Sequence, residues 1–375
     1  MTPLDQHVKL FNVAATTAES DPSAAVAGLC AGNFHDRWDQ ARQVAHLGES
    51  ALADLLTVLQ DSDQDWEARW FAARALGELN QPEVIPALID TFAATTDDDL
   101  RQAVAAALTH IGSPAIAALG EQLAHPALRP VAVQALARIP HPATVPLLLE
   151  ATSDERSPVR ATAIDALSPF ADPTIWPVVQ QGLSDPAAVV RAAAIRALLS
   201  LRSHLSADSL VAALTPLVKD PDLGIAQQAI YALGRLSEPA ATELLLGLLP
   251  APSTPEALQL AAVQALVWQN TAEALTGLIA AWDGLSSEAR LTLIQGLPTL
   301  VPALKTQATP ALLRWLRALP ATPPHSLLRR HLVLTLGQMN DPGLEADLRS
   351  LLQDPDLGVQ LHAEAALRQL SSASA

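Results

Sequence analysis

The chain has 375 residues, long enough for two or three ordinary domains or for one extended repeat array. Half of the residues are apolar, chiefly Ala, Leu and Val, only 3% are aromatic, and 39 Asp and Glu against 23 Lys and Arg give a formal charge of −16. Such a chain repels a nucleic-acid backbone, and no local basic stripe offsets the repulsion.

Residues 1–32 are read as N-terminal capping helices. The start, Met1 to Lys9, lacks a basic segment followed by an apolar run, and no later stretch reaches 18 apolar residues without breakers. The expectation is a protein without export signal or membrane span. Its single cysteine, Cys30, forms no internal disulfide and suits a reducing cytoplasm.

Residues 33–370 are read as one continuous repeat array, with 371–375 as a disordered tail. A leucine closing an alanine-rich segment recurs as Leu76, Leu108, Leu136, Leu167, Leu198, Leu233, Leu266, Leu297, Leu336 and Leu367, with Leu47 as a looser first copy. Counted from that leucine, offset −8 holds Ala68, Leu100, Val159, Val190 or Ile225; offset −4 holds Ala72, Val104, Ala132 or Ala163; offset +3 holds Leu79, Ile111, Ile139 or Leu201. These positions form one stripe on a helix of 3.6 residues per turn, so each repeat contains an amphipathic helix. A Pro or Gly signal and a second apolar segment follow, as in Gln81-Pro82-Glu83-Val84-Ile85, and then an acidic turn such as Asp185-Pro186, Asp220-Pro221 or Asp354-Pro355, whose Asp is expected to cap the next helix. The fold class read from this pattern is all-α: a right-handed α-solenoid of about 10–11 helical hairpins sharing a core that no single hairpin could close.

Offset −7 carries Arg69, Arg101, Arg129, Arg160, Arg191, Arg290 and Arg329. The favoured reading is structural, with guanidiniums bridging to the acidic turns and carbonyls of neighbouring hairpins. A phosphate-binding track is the other.

The run Asp185-Pro186-Ala187-Ala188-Val189-Val190-Arg191-Ala192-Ala193-Ala194-Ile195-Arg196-Ala197-Leu198 resembles the HEAT-like repeat of the phycobilisome-lyase-like proteins of cyanobacteria. Ala68-Arg69-Trp70-Phe71-Ala72-Ala73-Arg74-Ala75-Leu76-Gly77 is similar to the same group, which includes the E/F-type bilin lyase subunits, the phycobilisome-degradation protein NblB and IaiH, a partner of an iron–sulfur scaffold. The resemblance implies a protein-binding scaffold in iron–sulfur assembly or in phycobilisome biogenesis and turnover, with an iron–sulfur scaffold or a phycobiliprotein as partner. It also implies an alternative, a bilin lyase subunit that delivers an open-chain tetrapyrrole.

The residues themselves offer little chemistry. The 16 glycines form no phosphate loop or dinucleotide fingerprint, and none of the ten histidines is followed by Glu as in paired di-iron ligands. No catalytic residue and no cofactor are expected. Cys30 lies near His35 and His46, so it can be read as a ligand to a metal or to an iron–sulfur cluster shared with a partner; the simpler reading is a small buried thiol. His110 and His362 are read as structural.

The aromatics carry the sharper signal. Phe34, Trp38, Trp66, Trp70 and Phe71 crowd the first two repeats. Trp70 at offset −6 and Trp66 at −10 stand where most repeats have polar or small residues, so the pair is expected to face outward and to bind a partner. An N-terminal segment, Leu4 to Val13, is the alternative cover. Arg74, Asp165, Arg196 and Tyr231 share offset −2 and are expected on the inner surface of the array; of these, Arg74, Arg196 and Tyr231 join Trp38, Trp66 and Trp70 as candidate contact residues.

Overall fold

The structure is a computed structural model that describes residues 22–31, 33–170, 172, 174–249, 254–339 and 341–373; the segment Leu4 to Val13 lies outside them. The described residues contain twenty-two α-helices and no strand, divided between two compact units, residues 1–167 and 168–375. Unit 1 holds α1 (Pro22–Ala31), α2 (Phe34–Leu47), α3 (Leu52–Gln60), α4 (Trp66–Leu79), α5 (Ile85–Ala94), α6 (Asp98–Ile111), α7 (Ile116–Glu121), α8 (Arg129–Ala137), α9 (Val145–Ala151) and α10 (Ser157–Leu167). Unit 2 holds α11 (Ile175–Gly182), α12 (Ala188–Ser200), α13 (Ala207–Leu214), α14 (Leu223–Gly234), α15 (Pro239–Leu246), α16 (Glu256–Gln269), α17 (Ala272–Ala281), α18 (Ser287–Gly296), α19 (Pro302–Ala318), α20 (Ser326–Met339), α21 (Glu345–Ser350) and α22 (Leu357–Ala373).

These are eleven hairpins, five in unit 1 and six in unit 2, each an odd-numbered helix followed by an even-numbered one. Within each unit, odd helices pack on odd and even on even, giving the two layers of an α-solenoid. The stripe read from the sequence is the core. Leu76, Leu108, Leu136 and Leu167 in unit 1, and Leu198, Leu233, Leu266, Leu297 and Leu336 in unit 2, are buried, as is every residue at their offsets −8 and −4. Gln269, an amide at the otherwise apolar offset +3, is buried because its Nε2 donates to the Leu236 carbonyl at 2.9 Å and its Oε1 accepts from Thr242 at 2.9 Å.

Even helices approach one another on small residues. A Cβ at Gly77 would come within 2.8 Å of the Ala107 backbone, and one at Gly234 within 2.7 Å of the Ala265 Cβ, so α4 sits against α6, and α14 against α16, at a distance that only glycine permits.

Three of the offset −7 arginines tie one hairpin to the next, and three others tie the two helices of their own hairpin. Arg191 makes a bidentate pair with Asp220 (2.8 and 2.7 Å) and also donates to the carbonyls of Asp185 and Pro186. Arg129 pairs with Asp154 at 2.8 Å, and Arg329 with Asp354 and the carbonyls of Leu316 and Leu319. Arg69, Arg160 and Arg290 donate to the carbonyls of Leu59, Asp154 and Trp282. Each of these guanidiniums is engaged by the protein itself, as the structural reading expects.

Three details of the sequence reading change. The Asp of the Asp-Pro turns does not cap the following helix. Asp220 instead accepts from the Asp222 N–H and from Arg191, while Asp222 caps α14 by accepting from Gly224 and Ile225; Asp354 and Asp356 divide the work in the same way before α22. At Asp220 and Asp354, Asp-Pro therefore makes a turn with an arginine socket and the acid two residues on makes the cap, whereas after Asp185-Pro186 the N-cap of α12 is Ala187, with no side-chain cap. In α2 the core position is Val44, which is fully buried, and not Leu47, which is partly exposed. That shift puts the buried Arg37 at offset −7, Trp38 at −6 and Phe34 at −10. Finally, α22 continues to Ala373, three residues into the tail read as disordered, with Ser371 Oγ bonded to the Arg368 carbonyl.

Candidate functional site

The corrected register of α2 places aromatic residues at matching offsets on two adjacent helices of unit 1. Phe34 and Trp38 occupy −10 and −6 on α2, and Trp66 and Trp70 the same offsets on α4. Local chemistry fixes both starts. Asn33 caps α2 and forms a reciprocal capping box with Asp36, and Asp65 caps α4 by accepting from the Ala68 N–H at 2.7 Å.

Arg37 then locks the two helix starts together. It makes two bonds to Asp65 (2.8 and 2.7 Å), one to Glu67 (3.2 Å) and one to the Cys30 carbonyl (3.3 Å). The hydrogen-bonded Arg37 guanidinium holds the Asp65 carboxyl below its ordinary range. The pair aligns α2 and α4 so that their rings meet.

Phe71 is the buried hub of the ring cluster. It contacts Phe34 (centroids 5.5 Å), Trp38 (6.2 Å, planes at 81°) and Trp70 (4.9 Å, 84°), and Phe34 stacks on Trp38 at 6.2 Å. Above the hub, Phe34 is 52% exposed and Trp66 44%. The sequence expectation of two outward tryptophans holds fully for Trp66. Trp70 is half-buried, because one edge rests on Phe71.

Arg74, one turn beyond Trp70, is exposed and lies between two indoles, its guanidinium carbon 5.1 Å from the Trp38 ring centre and 5.0 Å from that of Trp70. Among the described residues it makes no hydrogen bond and no ion pair. The structure thus brings together Trp38, Trp70 and Arg74 with Phe34 and Phe71.

Arg196 and Tyr231 belong to unit 2. Arg196 is exposed on α12, and Tyr231, half-buried on α14, lies 5.3 Å from Trp268. Trp268, 49% exposed on α16, was missed by sequence reasoning. Its offset of +2, filled by Glu78, His110, Arg138, Ser200 and Arg235 in other repeats, is the signal that would have found it.

Cys30 is half-buried on α1, and burial raises its thiol pKa, which favours the protonated form over a thiolate ligand. His35 is exposed on α2, edge-on to Phe34, and the His46 side chain lies outside the described residues. Among the described residues no three His, Cys, Asp or Glu side chains are placed to hold a metal ion, and no helix is long and apolar enough to cross a membrane. A cleft of about 270 Å³ in unit 2, lined by Leu313, Leu316, Arg317, Arg329 and Asp347, has its charges turned on the protein itself: Arg317 pairs with Asp347 and Arg329 with Asp354.

The family described as HEAT repeats matches residues 19–109, 52–127, 113–199, 176–266 and 211–298, well over half of the sequence. Comparison with curated proteins gave no match. Among solved structures, Kap121p bound to Pho4p is similar with a TM-score of 0.67 at 16% identity, covering 94% of this chain and 45% of Kap121p. The Kap95:Nup1 complex is similar with a TM-score of 0.61 at 14% identity, covering 94% of this chain and 57% of that one. A Kap95p structure with RanGDP is similar with a TM-score of 0.59 at 14% identity, covering 93% and 56%. The chain spans about half the length of these proteins, and at such identity the likeness is one of fold. The chain belongs to the HEAT-repeat family.

Proposed function

We propose that this HEAT-repeat chain is a non-catalytic scaffold that holds a protein partner on the aromatic face of its first two hairpins. One observation carries the reading: Phe34, Trp38, Trp66, Trp70 and Arg74 form an aromatic and cationic surface on α2 and α4, with Phe34 and Trp66 open to solvent. Uncovered rings of this size cost free energy in water, and Trp and Arg dominate the energetics of protein interfaces. The similar structures of Kap121p and Kap95p were captured with Pho4p and Nup1, which lends support to a partner-holding use of the fold.

The setting we propose is a cytoplasmic one in cyanobacteria, iron–sulfur assembly or phycobilisome biogenesis and turnover, with an iron–sulfur scaffold or a phycobiliprotein as partner. Its support is the resemblance of Ala68–Gly77 and Asp185–Leu198 to the phycobilisome-lyase-like repeat. The test is affinity capture from a native lysate with the wild-type chain and with the Trp66→Ala, Trp70→Ala double variant. A specific protein lost from the variant, with helical circular dichroism and melting unchanged, is the expected result. Equal capture by both would move the site elsewhere, to Arg196, Tyr231 and Trp268 first.

Arg74 between two flat indoles also favours a second reading, a bilin lyase subunit, since a tetrapyrrole offers a plane to stack and propionates to pair. Phycocyanobilin titrated into the pure chain would then gain a red-shifted, Arg74-dependent absorbance band.

A further inference from the structure

Arg74 stands apart from the arginines at offset −7. Arg69, Arg101, Arg129, Arg160, Arg191, Arg290 and Arg329 all donate to carboxylates or backbone carbonyls. Arg74 donates to none among the described residues, although the chain carries an excess of Asp and Glu. Nor does it hang loose in solvent. The rings of Trp38 and Trp70 bracket its guanidinium at 5.1 and 5.0 Å.

That arrangement has a chemical consequence. Ring faces satisfy the guanidinium electrostatically but offer its N–H groups no acceptor, so its hydrogen-bonding capacity remains to be filled. The rings also order the side chain before anything binds, which lowers the ordering cost of a later contact. They displace water from its flanks, so that a carboxylate arriving there pairs in a less screened setting than on an open surface. Exposed Phe34 stacks on Trp38 beside this anchor, and exposed Trp66 lies about two helical turns before Arg74 on α4. The surroundings limit the charge of the visitor. Asp36 and Asp39 on α2 and Glu78 on α4 are exposed, so a phosphate or an acidic cluster is repelled more strongly than a single carboxylate.

Resting on the scaffold reading above, we propose that Arg74 is a carboxylate anchor, and that the partner segment seated on this face carries one Asp or Glu flanked by apolar side chains. The carboxylate takes the open donors of Arg74 and the apolar neighbours cover Phe34 and Trp66.

The test uses the full chain and three acetylated, amidated hexapeptides: Gly-Leu-Phe-Glu-Leu-Gly and its Gln and Lys counterparts at the fourth position. Binding is read by calorimetry and by tryptophan fluorescence. The Glu peptide is expected to bind about tenfold or more tighter than the Gln peptide, the scale of one charge-assisted hydrogen-bonded pair. That preference should vanish in Arg74→Gln, whose exposed position leaves folding intact as checked by circular dichroism. Equal binding of Glu and Gln peptides, tighter binding of the Lys peptide, a preference that survives Arg74→Gln, or no binding at all overturns the anchor. So does an Arg74-dependent dimer in sedimentation, since a second copy would then be the occupant. If the peptides fail while the Trp66→Ala, Trp70→Ala chain still loses its captured protein, the carboxylate chemistry is wrong and the scaffold site stands.

Discussion

Two tryptophan regions of this chain use the same side chain in opposite ways. In the first hairpins of unit 1, Trp66 is 44% exposed and Trp38 and Trp70 flank an arginine that makes no hydrogen bond among the described residues. In unit 2, Trp282 and Trp315 are 5% and 2% exposed and lie face to face, 4.0 Å between centroids and 9° between planes. An arginine attends that pair as well: Arg290 sits 5.2 Å from the Trp282 ring centre, but its donors are spent on the carbonyls of Trp282 and Asp283. The lesson is that a cation over an indole decides nothing alone. Where the guanidinium closes on the backbone it finishes a core, and where its donors stay open it leaves a surface to be completed.

The contrast is broken most directly at the buried pair. Trp315→Ala should destabilise unit 2 by about 3–5 kcal/mol, the cost of a large aromatic cavity, in urea denaturation followed by circular dichroism; a loss under about 1 kcal/mol would mean the stack is not core. Next in size is the arginine socket. Asp354→Ala strands the buried Arg329 guanidinium and should cost about 3 kcal/mol, and Arg329→Met in the same chain should recover much of that loss. A smaller effect is expected with pH. Burial and the nearby His362 lower the His331 pKa from its ordinary 6.5. Between that lowered value and 6.5 the unfolded chain binds a proton that the folded chain does not, so stability should fall as pH drops below 6.5 and level off once both states are protonated. His331→Gln should flatten that slope in melting temperatures taken from pH 8 to 5. The smallest effect belongs to the open face. Trp66→Ala should change stability by no more than about 0.5 kcal/mol while reducing acrylamide quenching of the intrinsic fluorescence, because one of the two exposed indoles, Trp66 and Trp268, is gone.

Most of the architecture was legible in the residues. The offsets −8, −4 and 0 are buried in every repeat from Leu76 to Leu336, Leu367 in the last helix being partly exposed, and the offset −7 arginines bridge to turns and carbonyls, because a period of 3.6 and a fork of donors leave few alternatives once hairpins stack. The first repeat was misaligned for a physical reason. An Asp and a Gln stand at −8 and −4 in either register, Asp36 and Gln40 counted from Val44 and Asp39 and Gln43 counted from Leu47, so the stripe did not separate the two; burial of Val44 and the Arg37 pair with Asp65 identify the register. The role of Asp220 was misjudged for a related one. Sequence shows an acid before a proline, but not which of two acids two residues apart faces the arginine.

At the candidate site, outward placement of Trp66 could be read from the residue types at its offset, and so could Trp268 had the same test been applied to offset +2. By itself the sequence determined the helical hairpins, their number, their core face and the acidic surface, since these follow from periodicity, turn chemistry and charge within single repeats. Only the tertiary structure decided that Arg74 lies by Trp38 and Trp70 with no acceptor among the described residues, while Arg290 over Trp282 has two. Those two residues differ in what adjacent helices and turns bring to their donors, and a contact of that kind is set by helix packing across tens of residues, not by any local pattern.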